Sequence, residues 1–257
     1  MSTQPWKTAL VTGGAAGKLG KATAQSLIKR GKSVYLADRN ESALIATAKE
    51  IGAAGYFTLD LTDISSLPAF AEKVQKDAPE IDCLINNAGI QVPLDFAKGA
   101  DLDAATQEIN TNITGLVHLC GLFTPHLAQK DAACIMNVGS ALGYVPASFA
   151  PVYSASMAFS KSFTVSLRQQ LKSTNVTVIE ISPPLVESNL HEHQDSGFSG
   201  FVSSNHIKAL SQNEWISVVE KGWDEGAEEI GAGFSQVCIT KWRETFGPIH
   251  AKLASSS

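Results

Sequence analysis

The feature that most narrows what this chain can become is a strand that runs straight into glycine. Lys7-Thr8-Ala9-Leu10-Val11-Thr12 is a short apolar run, and it ends in Gly13-Gly14-Ala15-Ala16-Gly17-Lys18-Leu19-Gly20. Beyond Gly20, apolar residues return at helical spacing through Leu27 and Ile28. Strand, glycine turn and helix in that order open a parallel βαβ unit. In such a turn backbone N–H groups approach a pyrophosphate with no side chain between them, and the helix N-terminus adds partial positive charge. Ordinary loops also collect glycines, so a second signal is needed. It comes from Ser33-Val34-Tyr35-Leu36-Ala37-Asp38, a strand ending in an acid about twenty residues past the glycines, where a carboxylate accepts hydrogen bonds from both ribose hydroxyls.

Asp38 also bears on which dinucleotide is taken. Its charge repels a 2′-phosphate, whereas Arg39 beside it can pair with one. The reading is NAD(H), with NADP(H) as the alternative. Further strand patterns alternate with helical ones. Gly55 to Leu59 leads into Asp60-Leu61, and Asp82-Cys83-Leu84-Ile85 leads into Asn86-Asn87-Ala88-Gly89. Both loops lie at strand C-terminal ends, where open parallel sheets bind ligands, although the Asn pair has a plainer reading as a turn that satisfies its own backbone.

This alternation predicts an α/β fold, a Rossmann-type doubly wound parallel sheet in one domain spanning residues 1–257. At 44% apolar and 18% charged, the chain can bury a large core. A net charge of -5 and the lack of any basic stripe argue against nucleic acid or an anionic membrane as partner. Cysteines 83, 120, 134 and 238 have no paired spacing and predict buried free thiols in a reducing compartment. Met1 to Lys7 lacks the apolar segment of a leader, and no apolar run is long enough to span a membrane, so the expectation is a cytoplasmic protein.

The chemistry concentrates in Val152-Tyr153-Ser154-Ala155-Ser156-Met157-Ala158-Phe159-Ser160-Lys161. Tyr153, Met157 and Lys161 follow one another at helical steps. Aromatic and Met residues at that spacing are usually core, but Ser140, just past an apolar strand in Asn137-Val138-Gly139-Ser140, can bring a hydroxyl to the same cleft as the Tyr153 phenol.

Taken together, the glycine turn, Asp60, Asn86-Asn87-Ala88-Gly89, Asn112 in Asn112-Ile113-Thr114-Gly115, Ser140 and Tyr153 resemble the short-chain dehydrogenase/reductase family, in order and over nearly the whole chain. Within it, Pro183-Pro184-Leu185-Val186-Glu187-Ser188 and Glu229-Ile230-Gly231-Ala232-Gly233 are similar to the DltE-like oxidoreductases. The resemblance implies an oxidoreductase that interconverts a secondary alcohol and a ketone. It makes Tyr153 the general acid or base, Ser140 the holder of the substrate oxygen, and Asn112 the anchor of a water in a proton relay. It places Gly13, Gly17, Leu19 and Gly20 around the pyrophosphate and Asp60 and Leu61 near the adenine. The Asn87-Ala88-Gly89 loop falls on the adenosine side, and Val186 with Ser188 at the nicotinamide carboxamide. The helix from Asp101 to about Gln129 and the one from Tyr153 to Leu171 would form a subunit face in a homodimer or homotetramer. Leu116, Leu119, Phe123, Phe159 and Phe163 suit either that face or the core.

Two departures stand out. The family's glycines follow Thr-Gly, three residues, Gly, one residue, Gly; here two residues separate Gly17 from Gly20, as though Lys18 were inserted. Lys18 reads as a solvated loop lysine or as a cap on the phosphates. Second, Met157 stands where the family pattern Tyr, three residues, Lys calls for lysine. A unit charge about 5 Å from a phenol at an effective dielectric near 20 is worth roughly 3 kcal/mol, or about two pKa units. Three readings follow: a replacement that disables the enzyme; a natural chain using the scaffold for non-redox work such as isomerisation, cyclisation or dinucleotide sensing; or Lys161 folding back from the next turn.

After residue 190 the sequence turns to His, Ser, Gly and Phe. Residues 190–204 read as a mobile substrate loop, with Phe198 and Phe201 closing on an apolar substrate. His191 and His193 have no third ligand in sight, so no metal is expected. A helix from Asn213 to about Gly222 and the apolar stretch Phe234 to Phe246 complete the pocket wall, and residues 254–257 form a frayed tail.

Overall fold

The structure, a computed structural model, describes residues 4–15, 17–187, 190, 199, 202–203 and 208–254. The first strand, β1 (Thr8–Thr12), is buried along its whole length, and the glycine turn delivers it to α1 (Lys18–Lys29). β2 (Ser33–Asp38) has the bounds the sequence predicts. Asn40 then caps α2 (Glu41–Ile51) by accepting from the Ala43 N–H, and Gly52, at φ 72°, ends it. β3 (Gly55–Thr58), α3 (Leu67–Asp77) and β4 (Cys83–Asn86) complete the first half. The second half runs through α4 (Leu102–Ile109), α5 (Leu116–Leu127), β5 (Ala133–Val138), α6 (Pro151–Gln170) and β6 (Val176–Ser182). It closes with α7 (Gln212–Asp224), β7 (Glu229–Gly231) and α8 (Phe234–Ala254).

All strand pairs are parallel, in the order β3-β2-β1-β4-β5-β6-β7. The order reverses direction between β1 and β4, and that switch point opens a crevice at the strands' C-terminal ends. Side chains alternate across the sheet, so each face has its own core. Leu10, Phe57, Leu84 and Ile135 pack under Phe70, Leu119 and Phe123 on one face. On the other, Val11, Leu36, Ile85 and Met136 share a core with Leu27, Trp215 and Trp223. Leu116, Leu119 and Phe123 are therefore core residues, whereas Phe159 is 39% exposed and stacks on Phe163 at 6.0 Å. All four cysteines are buried free thiols. Among the described residues no helix is long and apolar enough to cross a membrane, and no cluster of His, Cys, Asp and Glu could hold a metal ion.

One expected helix is divided. The segment expected from Asp101 to about Gln129 is helical from Leu102 to Leu127, with Asp101 capping it, but Asn110–Gly115 forms a π turn between α4 and α5. The cause is tertiary. The Asn112 carboxamide bonds both the N–H (2.9 Å) and the C=O (2.8 Å) of Ile90, and the wider turn lets it reach that strand-like edge. Phe198, Phe201, His191, His193 and Ser188 lie outside the described residues, as does most of the 190–204 loop and the tail beyond Ala254.

Candidate active site

The crevice is built from the ends of β1, β2, β4 and β5 and from α6. Gly13, at φ 63°, makes the turn that β1 needs, and a Cβ there would lie 2.9 Å from Ala88 Cα. Gly20, inside α1, would place a Cβ 2.2 Å from the Gly13 carbonyl oxygen. Its task is close packing of α1 on the turn, which explains why the extra residue before it is tolerated. Gly17 is the N-cap of α1 and offers no capping side chain, and the start of the helix borders the crevice. Lys18 is exposed at the rim, and Leu19 also lines it.

Thr12 is a residue that sequence reasoning passed over. Its hydroxyl accepts from the backbone N–H groups of Asn87 and Ala88, each at 3.0 Å, and donates to the Ile85 carbonyl at 3.3 Å. The Asn87 carboxamide returns a bond to the Thr12 carbonyl at 2.9 Å. Together they latch β1 to the loop after β4, and Asn87, Ala88 and Gly89 all border the crevice. Asp38 is buried at the end of β2 and accepts from Ala15 N–H (3.2 Å) and Asn40 N–H (3.3 Å). Arg39 beside it is exposed. Asp60 folds onto Thr62, accepting from its N–H and hydroxyl, while Leu61 is buried against Gly115. Val186 is buried and bridges to Leu210.

Ser140, in extended backbone, precedes a short 3-10 turn, Ala141–Gly143, and its hydroxyl accepts from Leu142 N–H. The Tyr153 phenol lines the same cleft, near enough to that hydroxyl to feel it. Burial pushes that phenol up to about 12, Glu108 raising it further and Ser140 pulling it down. Asn112 donates to Ser156 Oγ at 3.1 Å, and Ser156 donates to the Tyr153 carbonyl at 2.8 Å, so the loop after β4, the π turn and α6 are tied through one chain of bonds.

Met157 is 5% exposed and packs with Tyr153 and Ala150 against Leu142, Phe149 and Leu190. Lys161 does not fold back. Eight residues along an α-helix is about 80° past two full turns, and this rotation carries its stem away from the crevice. Its ammonium sits 3.3 Å from the Trp242 ring centroid and 5.1 Å from that of Tyr144. Burial holds it down to about 8 despite the nearby carboxylates of Glu180 and Glu229. Tyr144 donates to Glu180 Oε1 at 2.9 Å, so the residue after the Ser140 turn is pinned to β6.

Residues 7–197 match the family model for short chain dehydrogenase. The chain belongs to the short-chain dehydrogenase family. Among relatives, the uncharacterized oxidoreductase DltE of Bacillus subtilis is 36% identical over 224 residues, covering 87% of this chain and 86% of its own length. Two solved short-chain dehydrogenases share the fold. The enzyme of Sphingobium yanoikuyae in complex with NADPH superposes with a TM-score of 0.81 at 23% identity, covering 96% of this chain and 95% of that one. One from Burkholderia phymatum in complex with NAD gives 0.80 at 19% identity, with 97% of each chain covered. These comparisons make this short-chain dehydrogenase an oxidoreductase by family.

Proposed function

We propose that this chain interconverts a secondary alcohol and a ketone with a nicotinamide dinucleotide, favours carbonyl reduction, and is slowed by Met157. The observation that carries the reading is the Ser140–Tyr153 hydroxyl pair inside a cleft of about 990 Å³ that reaches Asp38. Its residues suit a dinucleotide. Positions 13 and 20 have room only for glycine, the N-terminus of α1 borders the cleft, and an acid terminates β2. The buried charge of Asp38 favours NAD(H); Arg39 keeps NADP(H) as the alternative. The solved relatives with NADPH and with NAD support the nicotinamide class.

The dinucleotide, when bound, supplies or takes the hydride. The chain's own part is to hold the oxygen and move a proton. Ser140 donates to the carbonyl oxygen, and Tyr153, which keeps its proton at neutral pH, gives it up as that oxygen becomes a hydroxyl. The reverse direction needs tyrosinate, which for a phenol near 12 is roughly one part in a hundred thousand at pH 7. With Met157 apolar and buried, no ammonium stands beside the phenol to change that ratio. Val145, Phe149 and Phe234 on the walls support an apolar ketone. The exposed Phe159 on α6 supports a homodimer or homotetramer, and the reading carries a cytoplasmic location with it.

A second reading has its own observation. Met157 completes an apolar cluster with Leu142, Phe149 and Leu190, as a site for non-redox isomerisation, cyclisation or dinucleotide sensing would. One experiment separates the two: NADH and NADPH absorbance followed against a panel of small and bulky ketones, with Asp38→Ala alongside. Ketone-dependent oxidation of NADH, lost in Tyr153→Phe and shifted toward NADPH in Asp38→Ala, supports the reductase. Bound dinucleotide and converted substrate with unchanged absorbance supports the rival.

A further inference from the structure

Glu108 is a carboxylic side chain with no water contact, 0% exposed on α4. Its Oε1 accepts from Val92 N–H at 3.3 Å, and its Oε2 has no partner. A buried oxygen left that way is expensive for an ionised carboxylate and much less so for a neutral acid. Glu108 lies one turn before Asn112, and the two side chains clamp the same strip of wall, Asn112 on Ile90 and Glu108 on Val92. Ile90 and Gln91 of that strip line the cleft, and α4 packs on α6, which carries Tyr153.

We propose that Glu108 is a positioning residue acting through Tyr153, and that its protonated form is the working state of the enzyme. As a neutral acid it holds the cleft wall without placing charge near the phenol. Once ionised, it opposes negative charge on the Tyr153 oxygen and on the substrate oxygen bonded to it. Both the proton transfer of reduction and the tyrosinate needed for oxidation then become harder to reach. The proposal rests on the oxidoreductase reading of the Ser140–Tyr153 pair.

Among the described residues, no charge facing Glu108 opposes the effect. On α6 the facing titratable group is Tyr153, while Lys161 is turned to Trp242 and Glu180. The π turn contributes Thr111 and Asn112, and the wall contributes Ile90, Gln91 and Val92; none of these titrates. Asp101 and Asp103 lie exposed at the start of α4. Burial alone pushes Glu108 up to about 7, so the switch falls in the neutral range.

The test is E108Q, which keeps an acceptor for Val92 N–H but cannot ionise. The ketone-reduction rate of the unaltered chain should fall about tenfold as pH rises through neutrality, the effect of about one unit of coupling. E108Q should hold its rate across that range. A purely structural role predicts instead a lower rate at every pH with the inflection kept, and that result overturns the proposal. A readout independent of turnover is the Tyr153 phenolate band, taken as the absorbance of each protein minus its Tyr153→Phe counterpart in a rapid pH jump. E108Q should lower its midpoint by about one unit. An unchanged midpoint refutes the coupling even where no ketone is turned over, whereas a lowered midpoint without ketone turnover sinks the reductase reading and leaves the coupling standing.

Discussion

Replacing Met157 by lysine is the perturbation whose size the structure lets us work out. The phenol it would face stands at about 12, raised mainly by burial. An ammonium about 5 Å away at an effective dielectric near 20 stabilises tyrosinate by roughly 3 kcal/mol, or about two pKa units, which would raise the tyrosinate fraction about a hundredfold. The full gain is not available at every pH. Lys161, with Glu180 and Glu229 close by, is already held down to about 8 by burial. A lysine at the buried position 157, among Leu142, Phe149 and Leu190, will likewise be held down by burial. The comparison therefore belongs near neutral pH. Met157→Lys should speed alcohol oxidation by about ten- to a hundredfold and ketone reduction by less, and it should lower the thermal midpoint of the ligand-free protein because a buried ammonium is poorly solvated. Met157→Leu, which keeps the apolar cluster, should change neither direction by more than about twofold. The assay is dinucleotide absorbance in both directions, with binding measured separately. If Met157→Lys binds dinucleotide, stays folded and oxidises alcohols no faster than the unaltered chain, the electrostatic account of Met157 is wrong.

Two further outcomes follow from the same geometry. Asn112→Ala strips partners from both backbone groups of Ile90 and from Ser156, and should destabilise by about 2–4 kcal/mol in urea unfolding while loosening the wall that Glu108 still holds at Val92. Stability should also fall between about pH 4.5 and 7. Burial raises Glu108 and Glu180 from 4.5 to about 7, so each contributes fully while protonated, below its unfolded value, and that contribution is lost as pH rises through the folded one. The loss is on the order of 3 kcal/mol per group, and Glu180→Gln should flatten the slope without touching the cleft.

Much of this was legible because the signal was local. β2 ends at Asp38 in sequence and in structure, and the glycine turn sits where its residues allow no other backbone. Leu116, Leu119 and Phe123 lie on one apolar stripe of the helix expected from Asp101 to about Gln129, which left subunit face and core open, and they are core residues. What that stripe does not announce is the π turn, since its cause is a pair of bonds to Ile90, outside the helix. Glu108 was not singled out from the sequence, because its meaning depends on Val92 and Tyr153. The eight-residue step from Tyr153 turns Lys161 away from the crevice, but that its ammonium meets Trp242, on the last helix, is not encoded near Tyr153.

The Thr12 latch also sets an order of events during synthesis. β1, the glycine turn, α1 and β2 are made first, yet the far wall of the turn is Ala88 and the hydroxyl of Thr12 finds its N–H partners at residues 87 and 88. A nascent chain that has cleared the ribosome only through β3 owns every glycine of the cradle and none of its floor. At translation rates of roughly 5–20 residues per second, the cradle stays incomplete for seconds after its glycines emerge. Truncations ending before β4 should accordingly keep the motif and lose the site, so a minimal nucleotide-binding fragment of this chain must extend beyond residue 89.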